Sequence, residues 1–161
     1  MVQGSISNCS VAFLSACESG SGAIDPNLDE YSGLPAAFQL AGVFNVISTL
    51  WPVSDVMTAI FVELFYRSLA QSSRKVNIAS LVHHVGKQLR RMNKEEAGSL
   101  LSKLRSRTSD PEARFRLEAF RHNILNGAAL PFRHPYEWAA FYMLGSGDII
   151  LSGEDVYDKT G

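Results

Sequence analysis

The sequence predicts an α/β fold, with an open, mostly parallel sheet flanked by helices. Three observations carry that expectation. Two short apolar runs, Ser10–Ala16 (SVAFLSA) and Phe44–Leu50 (FNVISTL), are continuous rather than alternating, as strands buried on both faces are. Segments with helical spacing lie between and after them. A third strand-like run, Trp138–Leu144 (WAAFYML), follows late and stops at Gly145. Strand, helix, strand, helix and a late strand is the order of layered α/β domains.

Taken in order, the elements follow from local chemistry. After the first strand, Glu18–Ser32 is rich in Gly, Ser, Asp and Pro, the composition of a surface loop. Leu34–Ala41 (LPAAFQLA) reads as a helix that tolerates Pro35 in its first turn and stops at Gly42. Trp51-Pro52 ends the second strand. Ser54 or Asp55 can cap the next helix, Val56–Ala70, where Ile60, Leu64 and Phe65 recur at helical spacing. A further amphipathic helix covers about residues 77–92. A polar helical region follows and breaks near Ser109-Asp110-Pro111. Residues 1–151 are expected to form one domain, with 152–161 an acidic, disordered tail.

Composition narrows the function classes. The chain is 46 % hydrophobic over 161 residues, enough for one domain with a sizeable core. Its apolar stretches are strand-length, and Met1–Ser10 lacks the basic start of a signal peptide, so no membrane partner is expected. Cys9 and Cys17 lie on one extended segment, which disfavours a disulfide between them, and no zinc spacing accompanies them. A reducing, cytoplasmic setting fits that usage. The net charge is −1, yet residues 87–133 hold eleven Lys and Arg against five Asp and Glu. That excess reads first as a solvated helical face, and second as a docking surface for an acidic partner or neighbouring domain. Nucleic acid is disfavoured, because no aromatic residues are spaced as stacking platforms and Phe115 and Phe120 read as core.

Position singles out two residues. In open α/β sheets, active groups collect at the carboxyl ends of strands. Cys17 and Asp55 each fall just past such an end, and they follow successive strands. Both also have plain structural readings. A free cysteine is most often a buried core thiol, and Asp is a common helix cap. Cys9 reads as a strand-start residue without a partner, and Trp51 and Trp138 read as packing.

Three stretches then resemble a known family. "LSACESG" (Leu14–Gly20), "AGVFNVISTLWPVSD" (Ala41–Asp55) and "HPYEWAAFYMLG" (His134–Gly145) are similar to the CHAT family, caspase-like cysteine peptidases of the clan that also holds separase. The likeness covers roughly residues 11–145. Glu137 departs from the commoner wording HPYYWAAF. The resemblance implies a caspase-like fold and a cysteine endopeptidase with a Cys–His dyad. In that family the nucleophile lies in the S-A-C-E-[ST]-G stretch, here Cys17. The Asp of the L-W-x-V-[ST]-D stretch, here Asp55, resembles the separase residue that receives a basic P1 side chain.

The residue types suit that chemistry. A thiol of pKa about 8.5 shifts toward thiolate beside an imidazole or a helix N-terminus. The small residues after Cys17 let backbone N–H groups, that of Cys17 among them, approach an oxyanion. Ser15 falls on the same strand face as Cys17 and is a candidate lining residue for the P1 pocket. Glu18 is read as a local turn partner. No metal or organic cofactor is expected, and no calcium loop is evident.

The dyad histidine does not match. In the family it lies N-terminal to the cysteine, and no His precedes Cys17. His83 and His84 fall mid-helix, one expected buried and one solvated; His122 falls in the basic helical region, and His134 just before Pro135. The chain therefore reads as the C-terminal portion of a CHAT-type domain that lacks its N-terminal strands. Its expected partners are a protein or peptide substrate, a His-bearing N-terminal segment or repeat domain, and further copies of itself through open sheet edges. The isolated chain is expected to be inactive. The competing reading is a non-catalytic CHAT-like scaffold or signalling module.

Overall fold

A computed structural model describes residues 9–14, 29–72 and 74–151. The expected disordered tail, 152–161, lies outside the described residues. The architecture is α/β. Strand β1 (Ala12–Phe13) is followed by helix α1 (Asp29–Leu40), strand β2 (Asn45–Thr49) and helix α2 (Asp55–Ala70). Strand β3 (Lys75–Asn77) leads directly into helix α3 (Ile78–Arg91), then α4 (Lys94–Arg107) and α5 (Pro111–Leu125). A single-turn helix α6 (Pro135–Trp138) precedes strands β4 (Phe141–Gly145) and β5 (Asp148–Ile150).

Among the described residues two small sheets result, β1-β2-β4 and β3-β5. β1 and β2 are parallel, with Ala12 opposite Val46 and Phe13 opposite Ile47. β4 departs from the mostly parallel expectation and runs antiparallel to β2, with Thr49 opposite Phe141 and Asn45 opposite Gly145. The cause is the entry point. The chain reaches β4 through α6 at the carboxyl end of β2, where the Leu50 N–H donates to Ala140 O at 2.8 Å. It can only run back from there.

The helices form where the sequence caps them. α1 starts earlier than expected, so Pro35 lies inside the helix and is buried there. Its end is as read. Gly42 takes φ 103°, and the Gly42 and Val43 N–H groups donate to Gln39 O and Phe38 O at 3.0 Å each. This left-handed stop satisfies two terminal carbonyls. Ser54 caps α2, its hydroxyl accepting from the Met57 N–H at 3.2 Å. Asn93 and Glu96 form a reciprocal capping box on α4. Asp110 caps α5 with Pro111 in its first turn.

The core lies between the sheet and α2, α3 and α4. α2 contributes Val56, Met57, Ile60, Phe61, Leu64 and Phe65 from one face. Phe61 stacks on Phe141 of β4, with ring centroids 3.7 Å apart, and Phe13 of β1 meets Phe65 edge-on at 5.0 Å. α5 packs on α4 from outside and buries only Leu117 fully. Phe115 is accordingly exposed, at 75 %, against the expectation of a core role, whereas Phe120 packs partly against the core. At the α4–α5 crossing a side chain on Gly98 would meet Leu125 Cδ2 at 2.8 Å, so glycine there permits the close approach. No helix among the described residues is long and apolar enough to cross a membrane.

The amino end of the sheet is fastened by one side chain. Asn45 is fully buried. Its amide donates to Ser10 O at 3.0 Å, and its Oδ1 accepts from the Gly147 N–H at 2.9 Å. One residue thus ties β1, β2 and the turn after β4. Gly145 adopts φ 138°, and a Cβ there would lie 2.2 Å from Phe44 O. No other residue type fits that position without moving the backbone.

Candidate functional site

The parallel pairing of β1 and β2 sends the chain out of both strands at one sheet edge. Because β4 is antiparallel, its start and the α6 turn reach that edge as well. Two of the three motif regions meet there. The Trp51 ring stacks on Tyr136 with centroids 5.6 Å apart and planes 20° apart, and its indole N–H donates to Tyr136 O at 3.0 Å. The Tyr136 hydroxyl in turn donates to Pro52 O at 3.4 Å. Trp51 is therefore a packing residue, as read. The strand expected over Trp138–Leu144 starts later: Trp138 is the last residue of α6, which His134 caps, and strand geometry begins only at Phe141.

Cys17, Ser15 and Glu18 lie outside the described residues. β1, which leads toward Cys17, is seated: the Leu14 N–H donates to Ile47 O at 2.8 Å. Cys9 is half-buried, its thiol donating to Val11 O at 3.4 Å.

Asp55 is the first residue of α2 and half-exposed, at 51 %. Ser54 performs the capping, so the Asp55 carboxylate is not consumed by it. It pairs instead with Arg116 of α5, whose Nη1 donates to Asp55 Oδ2 at 2.7 Å. Arg116 Nη2 donates to Glu112 one turn earlier. The bond to Glu112 and that carboxylate's charge, with smaller help from Asp55 and Asp110, hold the Arg116 guanidinium more firmly protonated than usual. Sequence reasoning missed Arg116. Its spacing from Glu112 shows an i,i+4 pair, but nothing in the chain order links it to a residue 61 positions earlier.

A second ionic contact ties α2 to the end of α4. Glu63 accepts from Arg67 at 2.8 Å and from Arg107 at 3.0 and 3.1 Å. Burial acts to raise the Glu63 carboxyl, but Arg67 and Arg107 outweigh it and hold it below its ordinary value.

The histidines have local roles. His134 Nδ1 accepts from the Tyr136 N–H at 3.2 Å, which puts the neutral ring's proton on Nε2 and leaves no free acceptor nitrogen. His84 pairs with Gln88, and His122 with Asn126, each on its own helix. His83 and His84 are both exposed, so neither takes the buried place expected for one of them. The reason is the phase of α3, which turns Leu81, Val82 and Val85 inward.

His83 lines a shallow depression of about 290 Å³ with Trp138, Phe141 and Tyr142, between α3 and β4. Arg90 lies over the Trp138 ring beside it, 5.7 Å from the centroid. Among the described residues, no group of His, Cys, Asp or Glu could hold a metal ion.

Comparison with curated proteins finds no match, and neither does comparison with solved structures. The family model for the CHAT domain matches residues 2–146, nearly the whole chain. With an α/β sheet whose two parallel strands open at one edge, and with the three motif stretches inside that span, the chain belongs to the CHAT domain family, a family of caspase-like peptidases.

Proposed function

We propose that this chain carries the nucleophile-bearing part of a caspase-like cysteine endopeptidase that cleaves after a basic residue. The observation behind the reading is the shared edge: β1 and β2 run parallel, and the sequence places Cys17 just after one and Asp55 just after the other. Family membership supplies the reaction class.

The Cys17 thiolate attacks the scissile carbonyl, forming a C–S bond and a tetrahedral oxyanion that receives the Cys17 backbone N–H. The C–N bond then breaks, and the leaving amine takes the proton first removed from the thiol. Water hydrolyses the resulting thioester. The Asp55 carboxylate receives the guanidinium or ammonium of the P1 residue, and Ser15 lines that pocket. The base is assigned to a histidine on a segment preceding Cys17, supplied by a repeat domain, an N-terminal region or a partner polypeptide. Supporting this, His134 spends its acceptor nitrogen on the α6 cap, and His84 and His122 are engaged on their own helices.

An electrophilic peptide ending in Arg tests the reading. In the assembly completed by the His-bearing segment it should label Cys17 and leave Cys17→Ala unmodified. Combined with the His-bearing segment, the chain should cleave peptides with Arg or Lys at P1 and spare those with Asp. Preference for Asp would remove the Asp55 assignment. Absence of labelling in the completed assembly would favour the non-catalytic scaffold.

A further inference from the structure

We propose that Arg116 is an internal competitor for Asp55: it occupies the carboxylate that would receive a basic substrate side chain and must release it, keeping only Glu112, for that side chain to enter. The inference rests on the reading of Asp55 as the P1 carboxylate and adds to it a residue that sets the affinity of that pocket.

The geometry supports an exchange rather than a fixed strut. Arg116 reaches two carboxylates from different helices, Asp55 on α2 through Nη1 and Glu112 on α5 through Nη2. Only Oδ2 of Asp55 accepts from it. Both side chains of the Asp55–Arg116 pair are 51 % exposed, so an incoming guanidinium can reach the same oxygens without opening the core. Asp55 is also free of capping duty, because Ser54 accepts from the Met57 N–H.

Displacement does not strand a charge. Once a substrate guanidinium takes Asp55, Arg116 keeps its bond to Glu112 one turn away on its own helix. An exposed ion pair is weak and solvent-screened, so Arg116 sets a low threshold rather than a block. A neutral P1 side chain gains nothing by displacing Arg116, since it would trade an ion pair for nothing. A basic one replaces like with like. Arg116 therefore lowers the affinity for a basic residue by the strength of the pair it gives up.

The test uses the full chain, titrated with N-acetyl-arginine amide and followed by NMR chemical shifts, with the citrulline analogue as the uncharged control. Arg116→Ala should tighten binding of the arginine probe by roughly twofold to fivefold, the range an exposed pair allows. Glu112→Gln should weaken it, because Arg116 then has only Asp55 to hold. Asp55→Asn should abolish it in each background. These opposite signs separate competition from a merely structural role. Equal affinity in Arg116→Ala and wild type, with Asp55→Asn still abolishing binding, overturns the competition and leaves the Asp55 reading standing. Binding that survives Asp55→Asn, or no binding to Arg116→Ala at millimolar probe, overturns both.

Discussion

The two ends of the β1-β2-β4 sheet are built on different principles. At the amino end a fully buried asparagine makes directional bonds to two other segments, beside a glycine whose absent side chain the backbone requires. At the carboxyl end Trp51 and Tyr136 stack near the surface, and Asp55 and Arg116 pair while half-exposed. One end is fixed by a buried side chain and a backbone approach that admits no Cβ; the other is held by contacts that can be exchanged. Fold stability should concentrate at the first end and ligand response at the second.

Substitutions can break or sharpen that contrast. The largest effect is expected from Gly145→Ala, since its Cβ would lie 2.2 Å from Phe44 O. It should cost more than about 3 kcal/mol or prevent folded protein from accumulating, as read by thermal unfolding. Asn45→Ala comes next. It leaves the Ser10 carbonyl and the Gly147 N–H without their buried partner and should cost about 2 to 4 kcal/mol in urea unfolding. A loss well under 1 kcal/mol would show that the amino end is not the fastener.

Glu63 tests the region between the ends. Its folded-state pKa is lowered, so its contribution is present above the ordinary carboxylate value and is lost as pH falls through the lowered folded value. As pH falls from neutral through the ordinary carboxylate range, wild type should lose more stability than Glu63→Gln, and the two curves should converge once pH is below the lowered folded value. Parallel curves would mean that Arg67 and Arg107 do not hold Glu63 in solution. The smallest effect on folding is expected at Asp55. Asp55→Asn should leave the unfolding midpoint nearly unchanged, because exposed ion pairs contribute little. A large destabilisation there would make Asp55 a structural residue and erase the contrast.

The same contrast explains what could be read from the sequence. Apolar runs and caps are local, so β2, α2, α3 and the break at Asp110-Pro111 were legible within a few residues. The CHAT relationship was legible from three stretches, one of which leads to the carboxyl edge while another folds back onto it. The direction of β4 was not legible, because strand composition carries no sign. β3 and β5 were missed because three-residue strands offer too little periodicity, and their pairing is fixed by the distant Gly147–Ile78 contact. Phe115 was misread because an aromatic in a helical pattern looks like core unless the outward phase of α5 is known. The Asp55–Arg116 pairing arises only from the packing of α5 across α2.

The Asn45 clasp also sets an order of events. Asn45 and Gly147 are 102 residues apart, so their bond closes a very long loop, whereas α4 and α5 are joined by a three-residue connection. Loop-closure entropy delays distant contacts until local ones have formed. The α4–α5 hairpin is then an early unit and the clasp a late latch. In stopped-flow chevrons, Asn45→Ala should mainly steepen escape from the native state, raising the unfolding rate with little change in refolding, while Leu117→Ala in the hairpin should slow refolding.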